Sequence, residues 1–277
     1  MKHRKQLFKT PSKVMYEGPE PDSVIQHFRD LQDGDHAGDG RGVLNNRISE
    51  YFYQQLDDAG IPTHFVRRLN MREQQLRRVE PLPVAVMIRS VVDGNLAARL
   101  GLARGTRLQR PIVEFMYNDY RLADPIVSEE HIATFGWLGP QDLDEMLAVA
   151  TRAHDMIIGM LMACGYRLID LRLEFGRYCE PQPPQPNNPD EIREEVRIVL
   201  CSDLSPDTMR LHDREESQPL AETGYEVWRE IAVESKGGIA VDGATRYRST
   251  AHQEIAARLG LLPQASPIDM QGPSTLQ

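Results

Sequence analysis

Lysine is scarce in this chain of 277 residues: Lys2, Lys5, Lys9 and Lys13 crowd one end and Lys236 stands apart. Anion chemistry in the body of the chain must therefore use arginine, whose planar fork binds phosphate or carboxylate in bidentate fashion and stays charged. Cysteine is scarce too. Cys164, Cys179 and Cys201 lack C-x-x-C spacing, and their odd number disfavours a disulfide framework, so they read as small core residues or inert thiols. The eight histidines show no H-E-x-x-H or similar ligand spacing. Also missing are a G-x-x-x-x-G-K-[ST] phosphate loop, a G-x-S-x-G elbow and a G-x-G-x-x-G turn. Apolar runs fall short of the ~18 residues of a membrane span, and the basic start MKHRKQLFK is not followed by a signal-peptide core. A cytoplasmic protein is expected. Positive charge is not in excess either. A net charge of −9 argues against general nucleic-acid binding, although a local arginine pocket can still take a small anion.

What is present suffices for a core: 40% of residues are hydrophobic and 26% charged, which fits one large globular domain or two modest lobes sharing a cleft. KVMYEG and SVIQHF read as strands on either side of the turn GPEPD. Residues 30–42 form an acidic, glycine-rich loop, and VLNNRISEYFYQQLDDAG has helical spacing with a stop at Gly60. THFVRRL reads as a strand, MREQQLRRVE is ambiguous, and PVAVMIRSVV is a buried strand. GNLAARLG is a short helix ending at Gly101, PIVEFMYND a strand, and Ser128 a helix cap. The longest helical pattern is GPQDLDEMLAVATRAHDMIIGMLMACG, whose Met146, Met156, Met160 and Met162 are assigned to the core. LIDLRLEFG and VRIVLCSDL form an antiparallel hairpin around the proline-rich segment 180–191. Helical stretches follow at TGYEVWREIA and AHQEIAARLG, before the tail PQASPIDMQGPSTLQ, whose composition is that of a disordered segment.

The strand LIDLRLEFG alternates Asp170, Arg172 and Glu174 with Leu171, Leu173 and Phe175, so it carries a charged face opposite an apolar one. Glu174 and Asp203 can meet across the hairpin. Such a pair near phosphates suits magnesium, and a solvated pair is the other reading. Arg210, after the turn Ser205-Pro206-Asp207, faces either the same cleft or a surface salt bridge. Arg89 precedes Asp93-Gly94-Asn95 and a helix start, a pattern that serves an anion site or a structural turn.

Several stretches taken together resemble one family. MYEGPEPDSVIQHF, GRGVLNNRIS, AGIPTHFVRRLNMREQ, GNLAARLG, PIVEF, DPIVSEEHIATFGW, LIDLRLEFGR and LSPDTMRLHD occur in the order found in SAICAR synthetases, from about residue 5 to 212, with a weaker match at EIAARLG. The resemblance implies an α+β fold of two lobes, an N-terminal antiparallel-sheet lobe (1–84) that binds nucleotide and a larger substrate and metal lobe (85–262), followed by a disordered tail (263–277). It implies an ATP- and magnesium-dependent ligase that joins the carboxylate of an aminoimidazole ribotide to the amine of aspartate through an acyl phosphate, in purine biosynthesis. A homo-oligomer with small-molecule substrates, acting on neither nucleic acid nor membrane, is implied as well.

By the same resemblance, Asp170 and Arg172 lie at the catalytic wall, and Lys13 and Glu174 contact the nucleotide. Glu174 and Asp203 hold the metal, and Arg89, Asn95, Asp124, Arg210 and Arg229 bind substrates. The chain departs from the family pattern at several of these places. In FKTPSK the loop glycine is Thr10, the first loop lysine is Pro11, and Lys13 remains. Ser90 and Asn95 replace an asparagine and a serine, Arg172 replaces a lysine, and Ser202-Asp203 replaces an aspartate-glutamate pair. The lysine before the DP motif is missing from YNDYRLADP, and DLQDGDHAGDG replaces the family's central loop. These departures leave two alternatives open beside the ordinary reaction: a ligase with a changed acid or amine, or a binding or regulatory protein without ligase activity.

Overall fold

The N-terminal third places apolar side chains where two opposite faces can close on each other. Lys13–Glu17 (β2) and Ser23–Phe28 (β3) pair antiparallel and bury Val14, Met15, Val24, Ile25 and Phe28. The computed structural model describes residues 4–10, 12–30, 40–182, 193–214, 223 and 250–262. With Gln6–Lys9 (β1), Phe65–Arg68 (β4) and Glu73–Arg77 (β5), these strands form an antiparallel sheet ordered β1-β2-β3-β5-β4. The ambiguous MREQQLRRVE contributes β5. It is polar enough for a surface helix, but pairing with β3 and β4 buries Gln74, Gln75 and Leu76, so tertiary context decides it.

Helix α1 (Arg41–Asp58) rests on this sheet through Leu44, Ile48, Phe52 and Leu56. Its first turn lies so close to the end of β3 that a Cβ on Gly42 would sit 2.8 Å from the Phe28 carbonyl oxygen. Only glycine fits there. Asp30 fixes the same corner, accepting from Gly42 N at 2.9 Å and from both Arg72 Nη atoms at 2.9 and 2.8 Å.

A second antiparallel sheet follows. It uses Val84–Val91 (β7), Arg107–Tyr117 (β8), Ile126–Val127 (β9), Tyr166–Leu173 (β10) and Met209–Asp213 (β13), in the order β13-β10-β7-β8-β9. A third sheet orders Arg193–Leu200 (β12), Phe175–Gln182 (β11) and Glu80–Pro81 (β6). The helices are α2 (Gly94–Leu100), α3 (Glu129–Thr134, capped by Ser128 with His131), α4 (Pro140–Ala163) and α5 (Thr250–Arg258). The fold is α+β, as expected, and one hydrophobic core runs from Met15 and Val24 in the first sheet to Leu259 after α5.

Two expectations change. LIDLRLEFG pairs with VRIVLCSDL only through its last two residues, Phe175 and Gly176, opposite Leu200 and Val199. Strand β10 lies between β7 and β13, and the partner of β12 is β11, which begins one residue after Glu174. At Glu174 the backbone leaves the ladder: its N–H goes to Ser202 Oγ at 2.6 Å, and its carbonyl accepts from Cys201 N at 2.9 Å. Continuous alternation in sequence conceals that break. Helix α4, in turn, is long and apolar enough to span a membrane by length and composition, contrary to the expectation of no such run. Here its Met146, Val149, Ala150, Ala153, Ile157 and Leu161 pack in the core with Val84, Val86, Ile88, Leu171 and Leu173. Of the methionines assigned to the core, Met146 is buried, Met156 and Met160 pack at its edge, and Met162 is exposed.

Candidate active site

The register of the second sheet builds the site. Asp170 stands opposite Arg89 on one side and Arg210 on the other, so the three side chains share one face of three adjacent strands. Arg172, two residues on, takes the same face beside Met87. The opposite face carries Val86, Ile88, Leu171 and Leu173 against α4. The charged face is nevertheless buried, with Asp170, Arg172 and Arg210 all deeply covered and Arg89 only 1% exposed. It is an interior wall, not the wet side of a sheet.

Charges in such a place must be paired. Arg89 donates from Nε to Glu114 Oε2 at 2.7 Å, from Nη1 to Asp170 Oδ2 at 3.2 Å and from Nη2 to Asn95 Oδ1 at 2.9 Å. Arg210 lies 3.7 Å from Asp170 and 3.8 Å from Asp93. Asp93 caps the seven-residue α2 by accepting from Gly94 N at 2.7 Å, and His212 Nε2 reaches it at 3.3 Å. Burial works against the Asp93 charge, but the Gly94 N–H and Arg210 outweigh it and hold the carboxyl below its ordinary value. The anion-site pattern anticipated at Arg89 is thus a dense ion-pair network whose helix end is capped by the protein's own carboxylate.

Arg172 is the hub. One Nη donates to Glu174, the other donates to Asn118 Oδ1 at 2.8 Å and lies 3.8 Å from Asp124 Oδ1. Asp124 sits at positive φ, 47°, directly before Pro125, and is buried. Tyr117 stands where the family pattern has its lysine, and Arg172 reaches the next residue, Asn118, as well as Asp124 of the DP motif.

Beyond Arg172 the first sheet joins in. Lys13 Nζ donates to Asp203 Oδ1 at 2.9 Å, and Gln26 Nε2 donates to the same oxygen at 2.9 Å. Burial disfavours the ammonium, yet Asp203 and Glu174 together raise the Lys13 pKa. Burial likewise disfavours the Glu174 carboxylate, and Arg172 and Lys13 overcome it, so its pKa is lowered. Thr10 closes the β1–β2 turn, taking Lys13 N on its hydroxyl at 3.2 Å and donating its own N–H to Lys13 O at 2.8 Å. Asp203 and Glu174 therefore both act on Lys13, from the two segments at the open end of the β11–β12 hairpin, Asp203 by direct contact and Glu174 through its charge. Ser202 is turned inward onto Glu174 N, and Glu174 keeps 28% of its side chain exposed. Among the described residues no group of three or more metal-type side chains assembles. Two carboxylates beside a cation do fit a magnesium that takes most of its oxygens from phosphates. Arg229 and Pro11 lie outside the described residues.

Several participants escaped the sequence reading. Glu114, Asn118, Gln26, Tyr53 and His64 carry no motif of their own and reach the site only through packing. Behind Arg210, the buried Asp207 gathers Asn45 at 2.7 Å, His252 at 3.2 Å and Arg41 at 3.6 Å, tying α1 and α5 to the Ser205–Asp207 turn. His64 is neutral, because burial, and then Lys13, push its pKa down to about 3. An unfolded histidine titrates near ~6.5, so between that pH and about 3 the unfolded chain alone binds the proton. As pH falls through this window, stability should therefore drop by about 1.4 kcal/mol per unit on account of His64. Urea unfolding of His64→Gln at pH 7 and 5 should show a correspondingly smaller loss than the wild type, and an equal loss would rule the contribution out.

Comparisons with known proteins establish the family and the fold. Residues 11–232 match the family model for SAICAR synthetase. A phosphoribosylaminoimidazole-succinocarboxamide synthase from Rhodospirillum centenum is 42% identical over 282 residues, covering 100% of both chains. The crystal structure of the Ehrlichia chaffeensis synthase superposes with a TM-score of 0.75 at 29% identity, covering 94% of this chain and 100% of that one. A SAICAR synthetase in complex with ADP superposes with a TM-score of 0.71 at 27% identity, over 94% and 100%. The chain belongs to the SAICAR synthetase family.

Proposed function

We infer that this protein is the ATP-dependent ligase of its family, joining the carboxylate of an aminoimidazole ribotide to the α-amine of aspartate in purine biosynthesis. The observation that carries the reading is Arg172, which links the Lys13–Glu174–Asp203 cluster on one side to Asn118 and Asp124 on the other. In the proposed reaction a ribotide carboxylate oxygen attacks the γ-phosphorus of ATP and ADP leaves. The amine of aspartate then attacks the acyl carbon, loses a proton, and expels phosphate. Arg172 and Lys13 offset phosphate charge as it shifts, an electrostatic task suited to groups fixed by packing. Glu174 and Asp203 would hold magnesium, which supplies further neutralisation when bound. Arg89, Asn95 and Arg210 form the ribotide end, with Arg229 added to it by resemblance alone, and Asp124 the aspartate end. The lobe division at 1–84 and 85–262, a homo-oligomer and a cytoplasmic location belong to the same reading.

A protein without ligase activity draws no support from the comparisons, since relatives matched over their full length carry the synthase name. The departures at Thr10, Ser90, Asn95 and Ser202 leave acid and amine preference as the question for assay. Melting experiments test the class first. ATP with magnesium at 100 times Kd should stabilise the fold by about 2.7 kcal/mol. Absence of a shift at millimolar nucleotide would sink the ligase reading. With binding in hand, ADP release requiring both the ribotide and aspartate is expected. Release with another amine in place of aspartate would mark an altered ligase.

A further inference from the structure

The turn Cys201–Asp203 is held from below by two side chains that face no reacting group. Tyr53, on the inner side of α1, is 1% exposed, and His64, just before β4, is also buried. The Tyr53 hydroxyl donates to the carbonyl of Ser202 and lies 3.0 Å from His64 Nε2. A phenol has one proton to give, so the imidazole must donate to the phenol oxygen, which fixes its tautomer as Nε2–H. Such an imidazole is neutral, in line with the low pKa of His64.

The lower end of this relay is rigid. The Tyr53 ring stacks on Phe65 with centroids 5.2 Å apart and planes 7° apart. His64 N donates to Leu200 O at 3.0 Å, and its carbonyl accepts from Arg77 N at 2.7 Å, which moors it to the end of β12 and to β5. The upper end bears on the carboxylates. Ser202 Oγ takes the N–H of Glu174 at 2.6 Å, Cys201 N donates to Glu174 O at 2.9 Å, and the next side chain, Asp203, reaches Lys13 and Gln26. The orientation of the Ser202 peptide therefore sets the separation of Glu174 and Asp203. Asp203 contacts Lys13 and Glu174 acts on it through its charge, and among the described residues no group of three metal-type side chains forms, so an error in the spacing of the two carboxylates has no third ligand to absorb it.

We propose that His64 and Tyr53 are positioning residues of the nucleotide site, a hydrogen-bond relay that orients the Ser202 peptide and so holds Glu174 and Asp203 at the spacing that magnesium–nucleotide binding requires. The proposal rests on the nucleotide reading given above. Plain packing would make the same contacts but would not single out one ligand.

Calorimetric titration with ADP, with and without magnesium, on wild type, Tyr53→Phe, His64→Leu and His64→Gln separates the two. Tyr53→Phe and His64→Leu should each weaken binding of ADP with magnesium by about tenfold, the worth of one well-placed hydrogen bond. The KM for ATP should rise in step while the KM for aspartate stays unchanged. His64→Gln, whose amide can still donate to Tyr53, should recover most of the affinity. Unchanged ADP affinity in Tyr53→Phe, or an equal loss for every substrate, overturns the relay alone. Failure of the wild type to bind ADP overturns the nucleotide reading and the relay with it. Should Tyr53→Phe not fold, the contrast of His64→Leu with His64→Gln decides the matter, and equal affinities in that pair overturn the proposal.

Discussion

Glu174→Gln should abolish the magnesium dependence of nucleotide binding and lower turnover by about 100- to 1,000-fold, the usual cost of removing one preorganised charge from a site of this kind. The substitution keeps the shape and takes away the charge. In the folded protein that charge is stabilised by Arg172 and Lys13 against the cost of burial, so the carboxylate is ionised throughout the physiological range. Neutralising it takes the charged partner from one Arg172 Nη, whose other Nη contacts Asn118 and Asp124, and removes one of the carboxylate charges that act on Lys13. Titration with ADP at several magnesium concentrations, followed by steady-state assay, reads both effects. If the variant bound ADP as the wild type does at every magnesium level, Glu174 would be no more than the ion-pair partner of Arg172.

The second large effect is on stability. Arg89→Met should destabilise the protein by about 3–5 kcal/mol, because breaking a buried ion pair from one side strands the other charge. Three acceptors, Glu114, Asp170 and Asn95, each lose one donor at once. Some relief is available, since Arg99 also donates to Glu114 and Arg210 lies 3.7 Å from Asp170, which favours the lower end of the range. Arg89→Lys keeps the charge but not the three-way fork, so an intermediate loss is expected. Urea unfolding with an unchanged m-value is the measurement. A loss below about 1 kcal/mol would mean that Arg89 is an expendable cation in the unliganded fold, held there for substrate alone.

Much of the site was legible because strand periodicity and arginine usage are local properties. The alternation of Asp170, Arg172 and Glu174 with leucines announced a charged face, and the lack of body lysines required arginine on it. Ser128 and the α4 stripe were likewise readable, since a cap and a 3.6-residue period each leave a mark within a few residues. The illegible parts all involve partners far apart in the chain. Lys13 and Asp203 are 190 residues apart, and Arg172 and Asn118 are 54 apart. Nothing in the composition of VRIVLCSDL says that its partner starts at Phe175 and not at Leu168, because both candidate strands alternate equally well.

By itself the sequence determined the α+β class, the family, the reliance on arginine and which strand would carry the charges. Those follow from residue type and short-range period. Tertiary structure alone decided that the charged face is interior, that Glu174 and Asp203 converge on Lys13, and that Arg89 is fully engaged by Glu114, Asp170 and Asn95. The physical reason is that register between distant strands, and the break in the ladder at Glu174, are set by how two sheets bury one common core. That balance of burial is summed over the whole chain and leaves no signature in any one stretch of it.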